Sequence, residues 1–418
     1  MKNRVVVTGI SVCAPNGVGV AAFERNIIEG VSGCRRITSF KVPGKSSDIA
    51  GIIDNFKPDT LFSMERAAHF DDTKQNRLYL LAEYCIEEAL SAAQLLTSQD
   101  RRDKRIGLSL ATAIGPMAAM EYFYIQNNIL KCQRHSKNIS SVFSFGNIGR
   151  ELKDTFCIDG SQIIIPTGCV GGCDAVTYAV NMIREGRETC VIAGAVEAPI
   201  TPLVVGAFSK INATSTRDCE PSQASCPFDT NRDGFVLAEG CGILILESES
   251  HARKRGVPIL AEIKGAGSVN NCFHMTDISV EGNYIEKSCR LALDDAHLKV
   301  DAIDYINAHG SSTPQNDLSE AIAFNQLFEK RTQDIPVTSI KSQIGHALSA
   351  ANAIELVSVV QTLQHKKIPP TINQVTQDQN CHLNIVRNKS IEHDVIHVLK
   401  TSSGFSGIHT AVVVSQYA

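Results

Sequence analysis

The chain has 418 residues, of which 43% are hydrophobic and 20% are charged, the composition of an ordinary globular protein with ample core. This length suggests two or three domains or one large duplicated unit. The net charge of −4 and the lack of a long basic run argue against nonspecific nucleic-acid binding. No apolar run is long enough to span a bilayer and no signal-peptide pattern is present, so we expect a cytoplasmic protein without a membrane segment.

The 14 cysteines are scattered singly through apolar segments and do not form a short secreted framework. This distribution favours reduced thiols. Cys169 and Cys173 are four positions apart, but no histidine or second cysteine pair nearby completes a zinc-like ligand set. We therefore expect no metal site.

The first third of the chain alternates predicted strands and helices. A strand over Arg4–Ile10 leads through a glycine-containing turn into a helix over Val20–Glu29. The turn resembles a weak dinucleotide fingerprint, but its third glycine and the downstream acidic residue are missing, which disfavours a nicotinamide site. After an irregular polar segment over residues 33–70, we predict a helix over Asn76–Ala93 and a strand over Arg105–Ala113.

The most informative stretch runs from Gln162 to Gly186. Its first four residues are apolar and β-branched, as in a short buried strand, and Pro166 ends that strand. Beyond a glycine pair the hydrophobic period becomes helical. Cys169 therefore lies on a tight turn between a strand and a helix.

Two interpretations of Cys169 are equally supported by this stretch alone. A helix N-terminus carries partial positive charge and free N–H groups, which would lower the pKa of a thiol and bind an oxyanion, so Cys169 is a candidate nucleophile. Alternatively, Cys169 is a small buried cysteine at a helix start, which is common.

A strand over Thr189–Ala195, a loop-rich segment over residues 199–233 and a strand over Cys241–Glu247 complete the first series of elements. A second series of alternating strands and helices follows, which indicates an α/β fold with mostly parallel strands. The two series have similar orders, so we infer an internal duplication near residue 255. The second series comprises strands at 260–267, 303–308, 335–340, 395–401 and 410–415 and helices at 284–297, 317–329 and 347–365.

Three turns of the second series carry polar residues directly after a predicted strand. They contain His309, then Lys341 and His346, then Phe405. Sites in α/β sheets form beyond the carboxyl ends of strands, so these side chains can converge with Cys169. A Cys–His pair can transfer or hydrolyse acyl groups. A second histidine favours decarboxylation of a malonyl thioester, because the enolate oxygen is stabilised by two neutral N–H donors.

At these residues the chain resembles the β-ketoacyl-acyl carrier protein (ACP) synthases, and most of all the ketosynthase alpha subunits of aromatic type II polyketide synthases. The resemblance covers nearly the whole chain. It implies a five-layer αβαβα thiolase-like α/β fold of two similar halves, which we place at residues 1–255 and 256–418. The segments that carry it are TGCVGGCDAV, APITPLVVGAF, PFDTNRDGFVLAEG, FHMTDISVEG, DAIDYINAHGSSTPQND and SIKSQIGHALSAAN.

The resemblance implies roles for particular side chains. Cys169 is the expected acyl-accepting nucleophile, and His309 and His346 the expected pair for decarboxylation and condensation. Lys341 is expected to organise the site with Glu355 as its partner.

Further roles are implied around these residues. The N–H groups of Cys169 and Phe405 would form an oxyanion hole, and Phe405 would gate the entry of the second carrier. Ser311 and Thr313 would hydrogen-bond the pantetheine arm, and Asp317 would support the site from behind. One departure is Ser406, which replaces a glycine of the family's GFGG loop and should restrict backbone freedom there.

The resemblance also implies the reaction and its partners: decarboxylative Claisen condensation of malonyl-ACP with an acyl chain on Cys169, without organic cofactor or metal. ACP is the expected carrier, and a chain-length-factor paralogue the expected partner in a heterodimer, although a homodimer is possible. The alternatives are an elongating synthase of fatty-acid or aryl-polyene synthesis, a non-catalytic partner subunit, and a Cys–His thioester hydrolase.

Overall fold

The computed structural model describes residues 3–44, 46–54, 56, 77–95, 105–121 and 144–418. The predicted helix over Asn76–Ala93 is observed over Arg77–Ala92, and Asn76 itself lies outside the described residues. Most of the polar segment over residues 33–70 also lies outside them.

The described strands share one large sheet, apart from two short two-stranded sheets. In chain order they are β1 (Val5–Ala14), β2 (Gly17–Val18), β3 (Cys34–Arg36), β4 (Ile49–Gly51), β5 (Gly107–Ala111), β6 (Gln162–Ile165), β7 (Cys190–Glu197), β8 (Gly240–Ser248), β9 (Ala261–Asn270), β10 (Tyr305–Asn307), β11 (Val337–Thr338), β12 (Lys367–Ile368), β13 (Ile391–Glu392), β14 (His397–Gly404) and β15 (Ile408–Ser415).

The described α-helices follow most of these strands. They are α1 (Val20–Glu29), α2 (Arg77–Ala92), α3 (Phe145–Phe156), α4 (Gly171–Arg184), α5 (Pro202–Lys210), α6 (Glu249–Arg255), α7 (Asn283–Ala296), α8 (Pro314–Phe328), α9 (Lys341–Ile344) and α10 (Leu348–His365).

The large sheet repeats one strand order twice. The N-terminal strands lie in the order β6-β5-β7-β8-β1 and the C-terminal strands in the order β11-β10-β14-β15-β9. In both sets the first three strands are parallel, and the last two pair antiparallel. The two sets join where β1 pairs with β9. The predicted duplication is thus confirmed as a repeated topology. The prediction of mostly parallel strands is wrong, because each of the two strand sets contains antiparallel as well as parallel pairs.

The hydrophobic clusters define five layers. The helices α4 and α10 pack between the inner faces of both strand sets, and α10 is buried along almost its whole length. The outer face of the N-terminal strands is covered by α2 and α3. The outer face of the C-terminal strands is covered by α7 and α8. The molecule has the predicted αβαβα thiolase-like architecture.

Several element boundaries differ from the sequence predictions. The segment over residues 199–233, predicted as loop, contains the helix Pro202–Lys210. Thr201 accepts a hydrogen bond from the Val204 N–H and caps this helix, and Pro202 occupies its first position. The predicted boundary between residues 255 and 256 lies between the end of α6 and the start of β9, and it stays a prediction. Among the described helices, none has the length and apolarity needed to traverse a bilayer.

Candidate active site

Cys169 lies in a single 3-10 turn, Gly168–Val170, between the strand β6 and the helix α4. Gly168 adopts a φ of +63°, a left-handed conformation that glycine reaches without strain. Cys169 is only 8% exposed. The predicted strand–turn–helix placement of this cysteine is confirmed.

The backbone around Cys169 is held by polar side chains from the C-terminal half. The Cys169 carbonyl accepts hydrogen bonds from Asn352 Nδ2 and, at 3.2 Å, from Ser402 Oγ. Ser349 Oγ donates to the preceding carbonyl, that of Gly168, at 2.7 Å. Sequence reasoning did not assign these roles, because a lone Asn or Ser on a buried helix or strand carries no chemical pattern.

Burial raises the pKa of the Cys169 thiol to about 12. The Lys341 ammonium and the backbone N–H groups of Phe405 and Cys169 act in the opposite direction, and the Glu197 carboxyl adds to the rise. Desolvation of the thiolate thus outweighs the lowering of this pKa that was expected at the helix start. These two N–H groups act on the sulfur and therefore lie near the position that the carbonyl oxygen of a Cys169 thioester would take.

His309 and His346 form an edge-to-face pair. Their ring centroids lie 5.2 Å apart at an interplanar angle of 84°, and each residue is 3% exposed. The ring of Phe235 meets His346 at 5.1 Å, and Phe235 belongs to the same apolar cluster as Cys169. The two predicted histidines therefore meet each other and lie on the cysteine's side of the core.

Both histidines are held neutral. Burial lowers the pKa of His309 and of His346 well below the usual histidine value, and the Lys341 ammonium lowers both further. Nδ1 of each ring is buried and makes no hydrogen bond. Each uncharged imidazole has one N–H that it can donate to an anion. The two rings together therefore supply two donors.

Lys341 and Glu355 form a fully buried ion pair beneath the histidines. Lys341 Nζ lies 2.5 Å from Glu355 Oε1 and donates to the His309 carbonyl at 2.7 Å. The sequence predicted this pairing, and its geometry is as expected. Because one ammonium holds both the carboxylate and the His309 backbone, it fixes the position of that imidazole.

Glu320 was missed by sequence reasoning. Its carboxylate accepts hydrogen bonds from the N–H groups of His309 at 2.7 Å and Gly310 at 2.8 Å. Thr401 Oγ1 also donates to Glu320, at 2.5 Å. Glu320 lies on α8, the helix that follows the turn with His309, and this position is the only signal in the sequence. Helix spacing alone does not show that the Glu320 side chain faces that turn.

Ser311 and Thr313 follow His309 and hydrogen-bond each other through their hydroxyls at 2.9 Å. Ser311 is buried, and Thr313 is half-buried at the edge of a cleft of about 380 Å³. Phe405 lines the same cleft. Thr313 and Phe405 thus lie on one cleft that is open to solvent, and the Ser311 hydroxyl contacts it through Thr313.

Asp317 does not contact the cysteine or the histidines. Its carboxylate accepts from the Phe228 N–H at 2.8 Å and lies 3.9 Å from Arg232 Nε. Burial raises the pKa of Asp317 to about 6, against the opposing effect of Arg232. Asp317 and Arg232 thus fix the loop around Phe228.

Phe405 is half-buried in a short 3-10 turn that contains Ser406 and ends at Gly407. Ser406 adopts a left-handed φ of +66°, which a side chain disfavours. Its N–H donates to the Met275 carbonyl at 2.8 Å, and its carbonyl accepts from Asn270 Nδ2 at 3.1 Å. The turn is therefore fastened to the segment after β9.

The fold and site together define a thiolase-like condensing enzyme, that is, an acyltransferase that forms a carbon–carbon bond. Residues 2–252 match the N-terminal domain of β-ketoacyl synthases, and residues 260–375 match their C-terminal domain. The chain belongs to the β-ketoacyl synthase family.

Similar proteins point to one branch of this family. The chain is 38% identical to the tetracenomycin polyketide synthase ketoacyl synthase alpha subunit of Streptomyces glaucescens, over 99% of this chain and 97% of that protein. A solved type II polyketide synthase ACP in complex with its ketosynthase, bound to the hexaketide, has a TM-score of 0.90 and 37% identity over the full length of both chains. The ishigamide ketosynthase/chain length factor has a TM-score of 0.91 and 27% identity, again over both full chains.

Proposed function

We propose that this chain is the ketosynthase alpha subunit of a type II polyketide synthase and lengthens an acyl chain held on Cys169 by condensation with malonyl-ACP. The observation that carries the proposal is a buried cysteine on a strand–helix turn, whose apolar cluster includes the Phe235 that packs against a buried pair of histidines. The full-length similarity to alpha subunits supports the pathway.

The first step is acyl transfer. The Cys169 sulfur attacks the carbonyl carbon of an acyl-ACP thioester, and the bond to the carrier sulfur breaks. The thiol proton of Cys169 leaves with the carrier thiol, so no charge remains in the core. The N–H groups of Cys169 and Phe405 stabilise the oxyanion that forms in between.

The second step is decarboxylation. Malonyl-ACP enters through the cleft lined by Thr313 and Phe405, where hydroxyl groups hydrogen-bond its pantetheine arm. Loss of CO₂ leaves an enolate whose oxygen accepts N–H donors from His309 and His346. Lys341 keeps His309 in position through the backbone carbonyl.

The third step forms the carbon–carbon bond. The enolate carbon attacks the carbonyl carbon of the Cys169 thioester, the bond to the Cys169 sulfur breaks, and the thiolate takes a proton from solvent. The product is a β-ketoacyl-ACP lengthened by two carbons. The proposed steps use groups of the chain, the carrier arm and one solvent proton, so neither organic cofactor nor metal enters them.

We propose ACP as the carrier and a chain-length-factor paralogue as the partner, with a homodimer as the alternative. The solved relatives include a ketosynthase with its ACP and a ketosynthase/chain length factor, which supports both partners. We propose a cytoplasmic location for this assembly. The two halves, residues 1–255 and 256–418, would act as one unit, because the cysteine comes from the first and the histidines from the second.

Replacing the nucleophile tests the assignment. We expect Cys169→Ala to abolish acyl loading and condensation with acyl-ACP and malonyl-ACP while leaving the fold intact. The matched control is Cys289→Ala, which removes an equally buried thiol from the outer helix α7. Near-normal condensation by Cys169→Ala would refute the assignment.

The rivals predict other behaviour in the same assay. A fatty-acid or aryl-polyene synthase would elongate primers without a paralogue. A thioester hydrolase would release free acid from acyl-ACP when malonyl-ACP is absent. A non-catalytic partner subunit would not load acyl groups at all.

A further inference from the structure

Lys400 is a buried lysine that the reaction as described does not use. It lies in the middle of the strand β14 with no exposed side-chain surface. Lysine is almost never fully buried without a specific partner. Nothing in its sequence neighbourhood, HVLKTSSG, singles it out.

Lys400 shares one carboxylate with Lys341. Its Nζ lies 2.9 Å from Glu355 Oε2, while Lys341 Nζ lies 2.5 Å from Oε1. The Lys400 contact is an ion pair without hydrogen-bond alignment. Its aligned hydrogen bond goes to the Thr401 carbonyl. All three charged side chains are fully buried, so the site holds two cations on one anion.

The residues around Lys400 connect it to the histidines. Thr401 donates to Glu320 and also accepts from the His309 N–H at 3.3 Å. The Lys400 ammonium acts on both imidazoles in the same direction as Lys341 and opposes their protonation. The charged and titratable groups facing this region are Lys341, Glu355, Glu320, His309, His346, His409 and Cys173.

We propose that Lys400 is a positioning residue for condensation: it holds the second oxygen of the Glu355 carboxylate and so places a second buried ammonium beside Lys341, behind the imidazole pair. This inference rests on the proposed function. A lysine pair on one carboxylate is costly to bury compared with a single ion pair. Glu320 supplies the second buried anion, but it is already hydrogen-bonded to the backbone of the histidine turn.

The test is the pH profile of malonyl-ACP decarboxylation. In Lys400→Met the imidazoles lose a repelling positive charge and bind protons more readily. We expect the acid limb, the part of the profile where the rate falls with falling pH, to move up by about one pH unit. On that limb the variant should be about tenfold slower than wild type, and at pH 8 its rate should stay within about twofold. Lys287→Met, which removes an exposed lysine from α7, should leave the profile unchanged.

A second variant guards against misfolding. Lys400→Gln keeps an N–H donor for the Thr401 carbonyl while removing the charge, and it should shift the acid limb as Lys400→Met does. If either folded variant keeps the wild-type acid limb, or loses rate equally at all pH values, Lys400 only fills the core and the inference is wrong. If the unaltered chain does not decarboxylate malonyl-ACP, the proposed function fails together with the inference.

Discussion

At the scale of single residues, burial sets the protonation of the site. The Cys169 thiol and both imidazoles are neutral near pH 7, because each is desolvated and because the Lys341 ammonium further opposes protonation of the two imidazoles. A neutral thiol and neutral N–H donors suit a reaction in which negative charge develops on the substrate, at the thioester oxyanion and the enolate oxygen. The charged groups Lys341 and Glu355 lie behind the reacting groups, and Lys341 holds the His309 backbone in place.

The paired histidines can be tested one at a time. We expect His309→Ala or His346→Ala to lower malonyl-ACP decarboxylation by about 100-fold or more, because each removes a donor to the enolate oxygen. Radiolabelled CO₂ release measures the rate. His382→Ala, at an exposed histidine, is the control. An unchanged rate in either active-site variant would remove that histidine from the mechanism.

The protonation of Cys169 can be measured by alkylation. With a thiol pKa of about 12, the fraction of thiolate rises tenfold with each pH unit below that value. The iodoacetamide rate at Cys169, read by peptide mapping, should therefore climb about tenfold per unit from pH 7 to 9. The exposed Cys157 serves as an internal reference. A plateau near neutral pH would mean that the helix terminus does lower the pKa of this thiol.

At the scale of elements, the turn after β14 positions the Phe405 N–H, the proposed second oxyanion donor. Its end, Gly407, accepts a hydrogen bond from the Asn271 N–H at 2.9 Å, and its φ is +73°. A Cβ at Gly407 would lie 1.7 Å from Asn271 Oδ1. Backbone and packing therefore both require glycine, unlike the neighbouring Ser406, which tolerates its left-handed conformation at some cost.

A matched pair of glycines separates the two requirements. Gly407→Ala and Gly256→Ala both place a side chain at a left-handed φ, but only Gly407 lacks space for it. We expect Gly256→Ala to cost about 1 kcal/mol of unfolding free energy with full activity. Gly407→Ala should cost more and lower condensation as the Phe405 N–H shifts. Equal losses in denaturant titrations and in activity would show that contact with Asn271 is irrelevant.

At the scale of the molecule, the site forms between two copies of one topology. Cys169 follows a strand of the N-terminal set, and the histidines, lysines and Phe405 follow or occupy strands of the C-terminal set. The central helix α10 contributes Asn352 to the cysteine backbone and Glu355 to both lysines. One buried helix thus connects the two sets of functional residues.

The shared carboxylate should be important for stability. Glu355→Gln leaves two buried ammonium groups without an anion, so we expect a loss of about 3–5 kcal/mol in unfolding free energy. Urea titration measures it, with the exposed Glu392→Gln as the control. A loss no larger than that of the control would mean that the lysines are neutral in the folded protein.

The sequence predicted the parts of this molecule that have local signals. The strand over Gln162–Ile165 and the turn at Cys169 were predicted as observed, because hydrophobic period and glycines mark them. The helix at Pro202–Lys210 was missed although its Thr-Pro start is a recognisable signal. Glu320, Asn352 and Lys400 were not predictable, since their roles depend on which distant backbone each side chain meets.

The central claim is that acyl chains grow on Cys169, and mass spectrometry of the intact chain with acyl-ACP, malonyl-ACP and the paralogue tests it most directly. Peptide mapping should find an acyl group on Cys169 that grows in two-carbon keto units only when the paralogue is present. Growth without the paralogue would favour the fatty-acid alternative. No acyl group on Cys169 under any of these conditions would contradict the claim.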